Sequence, residues 1–192
     1  MNPEFDIVIL GGGLVGSSLA CALDGRGYRI ALVEGSLPRD TPPGFDERKL
    51  ALAATSLNAL DALGVSALLP EPPSPIRRIH VSRQGDFGAV RLAAADSGRE
   101  AVGGVVSARE LGLALERRLA ALSELRLLRP QTLTGLAQHH DHIELQLQSG
   151  ETTTRVGTRL RVHERRREEW SIQREHRGPD ERARSQGNLA LW

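Results

Sequence analysis

Three glycines and one glutamate have the spacing of a phosphate-binding turn. The segment GGGLVG places Gly11, Gly13 and Gly16 in a G-x-G-x-x-G pattern, and Glu34 follows 18 residues after the last of them. In this pattern the first glycine permits a tight turn, the second lets a pyrophosphate approach the backbone, and the third lets a helix lie close to a strand. The N–H groups at the start of that helix attract phosphate. The pattern therefore predicts binding of a nucleotide diphosphate, with Glu34 accepting hydrogen bonds from ribose hydroxyls.

Local sequence patterns predict the elements that would position these residues. Phe5–Leu10 is an apolar run typical of a buried parallel strand, Leu14–Asp24 favours a helix, and Arg29–Val33 is a second buried strand ending at Glu34. Together they form a βαβ unit, the context in which the glycine pattern becomes specific. The glycines do not separate FAD from NAD, whereas a carboxylate at Glu34 disfavours the 2′-phosphate of NADP.

Further helices and strands are predicted along the rest of the chain. One helix covers Lys49–Leu63, and another is capped by Ser107 and runs to Leu122. Four leucines of the second helix share one face: Leu111, Leu115, Leu119 and Leu122. The predicted strands, most of them paired in hairpins, are Ile76–Ser82, Phe87–Leu92, Leu125–Leu128, Thr132–Ala137 and His142–Gln148.

Composition excludes several classes of protein. A length of 192 residues predicts one domain, or one domain with part of another, and a net charge of +1 gives no reason to expect nucleic-acid binding. The sequence contains no run of eighteen apolar residues, so no transmembrane segment is predicted. The start of the chain lacks the pattern of a signal peptide. The single cysteine, Cys21, excludes an internal disulfide and favours a reducing, cytoplasmic setting. The histidines of 139–142 are interpreted as a solvated turn, and no metal site is predicted.

Residues 44–65, GFDERKLALAATSLNALDALGV, resemble flavin monooxygenases of the aromatic-hydroxylase family. The likeness lies in an acid–x–Arg group followed by a helix, shortly after the second strand. Three later segments fit the same family in the same order: IRRIHVSRQGDFGAVRLAAAD, VVSARELGLAL and IELQLQSGE. The resemblance covers about residues 4–151 and is closer to the hydroxylases of ubiquinone biosynthesis.

The resemblance implies an α/β fold, a Rossmann-like FAD-binding domain of the glutathione-reductase type. This domain would cover residues 1–154 and include a fragment of the substrate-domain β-sheet at about 76–104. By position, Arg48 and Arg109 match polar residues that face the cofactor in the family, a role that suits a guanidinium. The predicted cofactor-binding residues are Gly11, Gly12, Gly13, Val15, Gly16, Glu34, Arg48 and Arg109.

The implied activity is hydroxylation of a polyprenyl phenol in ubiquinone biosynthesis, using FAD, NAD(P)H and O2. No side chain is assigned as catalytic, because in such enzymes the flavin carries the chemistry. Other ubiquinone-biosynthesis proteins are the expected partners. The expected location is the cytoplasm, including the periphery of the inner membrane.

The end of the chain departs from the family pattern. A complete member would be about twice as long, and a strand followed by an Asp-Gly segment should begin near 155–162. Instead the chain reads RVGTRLRVHERRREEW, and residues 151–192 hold 10 basic and 7 acidic residues. We therefore interpret 155–192 as a disordered or frameshifted tail, and expect this chain alone not to hydroxylate. The first alternative is a non-catalytic fragment that binds FAD or another adenine nucleotide. The second alternative is an NAD-linked dehydrogenase.

Overall fold

The computed structural model describes residues 3–37, 48–83, 85 and 87–163. Within these ranges the chain has the predicted mixture of helices and strands. The helices are α1 (Leu14–Leu23), α2 (Ala54–Ala62) and α3 (Ala108–Ala120). The strands are β1 (Phe5–Leu10), β2 (Ile30–Val33), β3 (Lys49–Ala53), β4 (Ser74–Ile76), β5 (Arg78–Ser82), β6 (Ala89–Ala93), β7 (Gly103–Ser107), β8 (Leu125–Leu128), β9 (Thr132–Gln138), β10 (Ile143–Ser149) and β11 (Thr152–His163).

A six-stranded sheet carries the glycine loop. Its strand order is β8-β2-β1-β11-β10-β9. The first four strands are parallel, with β1 between β2 and β11 and with β8 on the far side of β2. Strands β9, β10 and β11 form an antiparallel meander, so that the long β11 belongs to both halves of the sheet. The adjacent, parallel β1 and β2 with α1 between them in sequence confirm the predicted βαβ unit.

Alternation along the parallel strands divides the core between the two faces of the sheet. Successive side chains of a strand point to opposite faces, so Ile7 and Ile9 pack with α1 and α3, whereas Val8 and Leu10 pack with residues of the meander. Each fully buried aliphatic side chain contributes about 1.5–3 kcal/mol. The predicted leucine stripe lies in the first of these layers, although α3 ends before its last member, and all four leucines are buried: Leu111, Leu115, Leu119 and Leu122.

The expectation of an irregular tail from residue 155 is wrong for residues 155–163, which complete β11. Val156 and Thr158 are buried in this strand, while Arg155 and Arg159 are exposed. Apolar and polar residues alternate here only over a short stretch. The arginines make this alternation hard to recognise, because they give the segment a composition typical of disorder. Residues 164–192 lie outside the described residues.

The predicted helix Lys49–Leu63 is also partly wrong, because its first five residues form β3. This strand pairs with β7 in antiparallel register, with Lys49 opposite Ser107 and Ala53 opposite Gly103. Leucine and alanine favour a helix in isolation, so tertiary pairing with β7 overrides the local preference here. The helix begins only at Ala54.

Two smaller sheets occupy the middle of the chain. Strands β3, β7 and β4 form one of them, and β5 pairs with β6 in a separate hairpin whose β5 residues are all exposed. These strands include the segment predicted as a fragment of a substrate-domain sheet. No helix of the described residues is long and apolar enough to cross a membrane.

Candidate nucleotide-binding site

The glycine loop turns sharply at the carboxyl end of β1. Gly11 has a φ of +107°, a conformation that glycine adopts at little cost. Its N–H donates to the carbonyl of Val33 over 2.9 Å, which joins the loop to the end of β2. A Cβ built on Gly16 would overlap with the carbonyl oxygen of Gly11. The pattern therefore has a direct steric cause, since α1 can cross the loop this closely only with glycine at residue 16.

The first turn of α1 is suited to an anion. Its N-cap is Gly13, and within the described residues no side chain caps the turn or places a carboxylate in it. The hydroxyl of Ser17 donates to the Gly12 carbonyl over 2.9 Å, which steadies the loop from the helix side. Val15 is 66% exposed and lies on the open side of the turn. Uncapped N–H groups and the helix dipole together favour binding of a phosphate at such a position.

Both carboxylate oxygens of Glu34 accept hydrogen bonds, and one of these bonds comes from the glycine loop. Its Oε2 accepts a hydrogen bond from the Gly12 N–H over 2.7 Å. Its Oε1 accepts from the N–H and hydroxyl of Ser36, over 2.9 and 2.6 Å. Burial acts to raise the pKa of Glu34, but the bonds from Ser36 and Gly12 and the charge of Arg129 outweigh it, so this pKa lies below its ordinary value. Glu34 is therefore an ionised, oriented acceptor at neutral pH.

The segment after β8 contributes residues that no local sequence pattern indicates. The N–H of Glu34 donates to the Leu128 carbonyl over 3.0 Å, and the N–H of Gln131 donates to the Glu34 carbonyl over 2.8 Å. Between these two contacts lies Arg129, whose side chain is only 6% exposed and pairs with Glu116 of α3. The position of this segment could have indicated its role, because it follows a predicted strand and the carboxyl ends of adjacent parallel strands meet at one edge of the sheet.

The two predicted arginines lie at one junction of the structure. The N–H of Ala108, at the start of α3, donates to the carbonyl of Arg48 over 2.9 Å. Arg48 and Arg109 are both exposed there. The same helix packs against α1, where a Cβ on Gly112 would lie 4.0 Å from Leu14, the first residue of α1. The structure thus places both arginines at the start of a helix that packs against α1, and their contact with a cofactor stays a prediction.

Two further polar features occur among the described residues. A cavity of about 230 Å³ is lined by β3, β7 and the starts of β4 and α3, with Lys49, Glu71 and Glu110 as its charged groups. The rings of His139 and His142 stack with centroids 4.4 Å apart. No group of three or more histidine, cysteine, aspartate or glutamate side chains in the described ranges could hold a metal ion.

The fold of the chain is similar to part of a solved structure. The structure is similar to that of the OxyS anhydrotetracycline hydroxylase from Streptomyces rimosus, with a TM-score of 0.65 and 23% sequence identity. The match covers 83% of this chain and 31% of that one. A likeness at this identity shows the fold of the matched part. No protein-family model matches the chain.

Two curated relatives narrow the comparison. The chain is 34% identical to the ubiquinone hydroxylase UbiL of Rhodospirillum rubrum over 148 residues, which cover 77% of this chain and 34% of the relative. It is 32% identical to the 3-demethoxyubiquinol 3-hydroxylase of Escherichia coli over 155 residues, which cover 78% of this chain and 39% of the relative. The predicted resemblance to ubiquinone-biosynthesis hydroxylases is confirmed, and the chain spans between a third and two fifths of the length of these relatives.

Proposed function

We propose that this chain is the FAD-binding part of a monooxygenase of ubiquinone biosynthesis. The observation that carries the proposal is the contact between Gly12 and Glu34, which places an ionised acceptor beside an uncapped helix start. The two relatives named as ubiquinone-pathway hydroxylases support the choice of reaction. Helices on one face of the parallel strands and a meander on the other support a glutathione-reductase type of FAD domain.

The residues of the site fit the adenosine diphosphate end of FAD. Gly13 and the first turn of α1 would hold the pyrophosphate, because backbone N–H groups can approach it without a side chain between them. The carboxylate of Glu34 would accept hydrogen bonds from the ribose hydroxyls. Arg48 and Arg109 would face the remainder of the cofactor, where a permanent positive charge can pair with phosphate.

FAD, when bound, would supply the electron transfer from NAD(P)H and the activation of O2 that hydroxylation of a phenol ring requires. The described residues would bind and orient the cofactor and would not transfer protons themselves. The proposed substrate is a polyprenyl phenol. Because its tail partitions into lipid, we propose that the whole protein works in the cytoplasm at the surface of the inner membrane, beside other proteins of the pathway.

Competition binding tests the nucleotide site. The purified chain is titrated with FAD while flavin fluorescence is followed, and ADP, FMN or NAD+ is then added as a competitor. ADP should displace FAD, whereas FMN should not, because FMN lacks the adenosine end that the glycine loop and Glu34 would hold. FAD should also bind more tightly than NAD+. Displacement by FMN as effective as that by ADP, or tighter binding of NAD+, would contradict the proposal.

A further inference from the structure

We propose that Arg129 is a positioning residue for the nucleotide, holding Glu34 as an oriented, charged acceptor for the ribose. This inference rests on the proposed function. It assigns a role to a side chain that contacts Glu116 of α3 rather than the glycine loop.

The backbone places Arg129 beside Glu34. The hydrogen bonds from Glu34 N–H to Leu128 and from Gln131 N–H to Glu34 measure 3.0 and 2.8 Å. They tie the end of β2 to the segment after β8 on both sides of Arg129. A change in the position of this segment would therefore be transmitted directly to the backbone of Glu34.

The side chain of Arg129 is buried and makes a bidentate ion pair. Both terminal nitrogens donate to the two carboxylate oxygens of Glu116 over 2.9 Å, a bidentate pair. The Arg129 side chain is 6% exposed, while that of Glu116 is 41% exposed. The Nε of Arg129 is buried without a hydrogen-bond partner among the described residues. Solvent thus screens the carboxylate of the pair better than the guanidinium, and a positive field remains on the buried side.

The groups facing Glu34 can be assigned within the described ranges. Ser36 and Gly12 supply uncharged donors, and Arg129 supplies the charge that lowers the pKa of Glu34. Burial works against them by favouring the protonated form. A protonated Glu34 could accept fewer hydrogen bonds from ribose hydroxyls, so the charge on Arg129 would extend nucleotide binding to lower pH.

Three variants separate a positioning role from a merely structural one. Arg129→Gln removes the charge, Arg129→Lys keeps it, and Glu116→Gln removes the partner while leaving Arg129 in place. The pKa of Glu34 is measured in each ligand-free variant from the carboxyl 13C chemical shift, and ADP affinity is measured as a function of pH.

We expect Arg129→Gln to raise the pKa of Glu34 and to move the loss of ADP affinity to higher pH. Arg129→Lys should restore both values toward those of the unmodified chain. Glu116→Gln should move the pKa of Glu34 in the opposite direction from Arg129→Gln, because it removes a negative charge near Arg129. A structural effect would instead move both variants in the same direction, with an affinity loss equal at all pH values.

The experiments test the nucleotide site and the role of Arg129 separately. If the unmodified chain does not bind ADP, the nucleotide site is wrong and so is the positioning of a ribose acceptor. If it binds ADP but Arg129→Gln leaves the pKa of Glu34 and the pH profile unchanged, only the role of Arg129 is wrong. Because the NMR titration needs no ligand, it also detects a variant that has lost its fold.

Discussion

Gly16 and Gly11 approach so closely that a Cβ on Gly16 would overlap with the carbonyl oxygen of Gly11. The contact is between backbones, so neither partner can rotate away as a flexible side chain would. It determines how near α1 can come to the end of β1, and hence where the N–H groups of the helix start point.

Substitution of Gly16 tests this contact. Gly16→Ala should destabilise the fold by about 1–3 kcal/mol, the usual cost of forcing extra volume into a packed site. Gly112→Ala is a matched control in α3, because its Cβ would lie 4.0 Å from Leu14 in ordinary contact. The free energy of unfolding of the control should rise by up to about 1 kcal/mol, because alanine has a higher helix propensity than glycine. Urea unfolding measures both, and equal stabilities would contradict the role of Gly16.

Loss of the Glu34 carboxylate should weaken nucleotide binding. Glu34→Ala removes the predicted ribose acceptor, and we expect ADP affinity to fall by about 1–3 kcal/mol, the typical cost of leaving buried polar groups unpaired. Isothermal titration calorimetry gives the value. Glu124→Ala, at an exposed residue before β8, removes the same charge without touching the site. Unchanged affinity in Glu34→Ala, or an equal loss in the control, would place the ribose elsewhere.

Asp6 should make stability depend on pH in the acid range. Its carboxylate accepts hydrogen bonds from the side chain and the backbone N–H of Arg29 over 3.0–3.2 Å. These bonds lower the pKa of Asp6 from 3.8 to about 2. Because the folded-state pKa is depressed, ionised Asp6 stabilises the fold above about pH 4, and this contribution is lost as the pH falls toward 2.

The Asp6→Asn variant measures that contribution. It should be less stable than the unmodified chain near pH 6, and the difference should narrow steadily below pH 4. Glu4→Gln disrupts the pair of Glu4 with Arg126, whose side chains are 50% and 64% exposed, and should have a smaller effect because water screens exposed pairs. A difference between Asp6→Asn and the unmodified chain that does not vary with pH would contradict the assignment.

Truncation tests whether β11 is required by the fold. A chain ending at His163 keeps the pairing of β11 with β1 and β10, and should unfold cooperatively in urea. A chain ending at residue 151 loses both pairings together with the buried Val156 and Thr158. It should lack a cooperative transition, because the cluster around Leu145 and Leu147 would be open. Equal transitions in the two chains would show that β11 is dispensable.

Local sequence was sufficient for the βαβ unit. The apolar run of β1, the glycines of the loop and the acid after β2 lie within about thirty residues, and each follows from the local backbone or from alternation of buried side chains. The stripe on α3 was equally readable, because helical periodicity places Leu111, Leu115 and Leu119 on one face whatever the partner is. Nothing distant is needed to interpret such signals.

Strands whose partners are distant in sequence were not readable in the same way. Residues 49–53 have the composition of a helix and become β3 because β7, more than fifty residues later, supplies the hydrogen bonds. Residues 155–163 have the composition of a disordered tail and become part of β11 because β1 and β10 leave a place between them. A strand is stabilised mainly by the strands beside it in the sheet, and the composition of a segment does not show which strands those are.

For the proposed nucleotide site, local sequence was enough to predict the turn at Gly11–Gly16 and the acceptor Glu34. The groups around Glu34, in contrast, come together only when the chain folds. Arg129 lies 95 positions after Glu34, and the two residues follow paired strands because β8 pairs with β2 in parallel register. The burial of Arg129 and its bidentate ion pair with Glu116 depend on the packing of α3. The steric requirements of a backbone turn are local, so they can be recognised in the sequence. The electrostatic environment of a side chain depends on all the charges that folding brings near it.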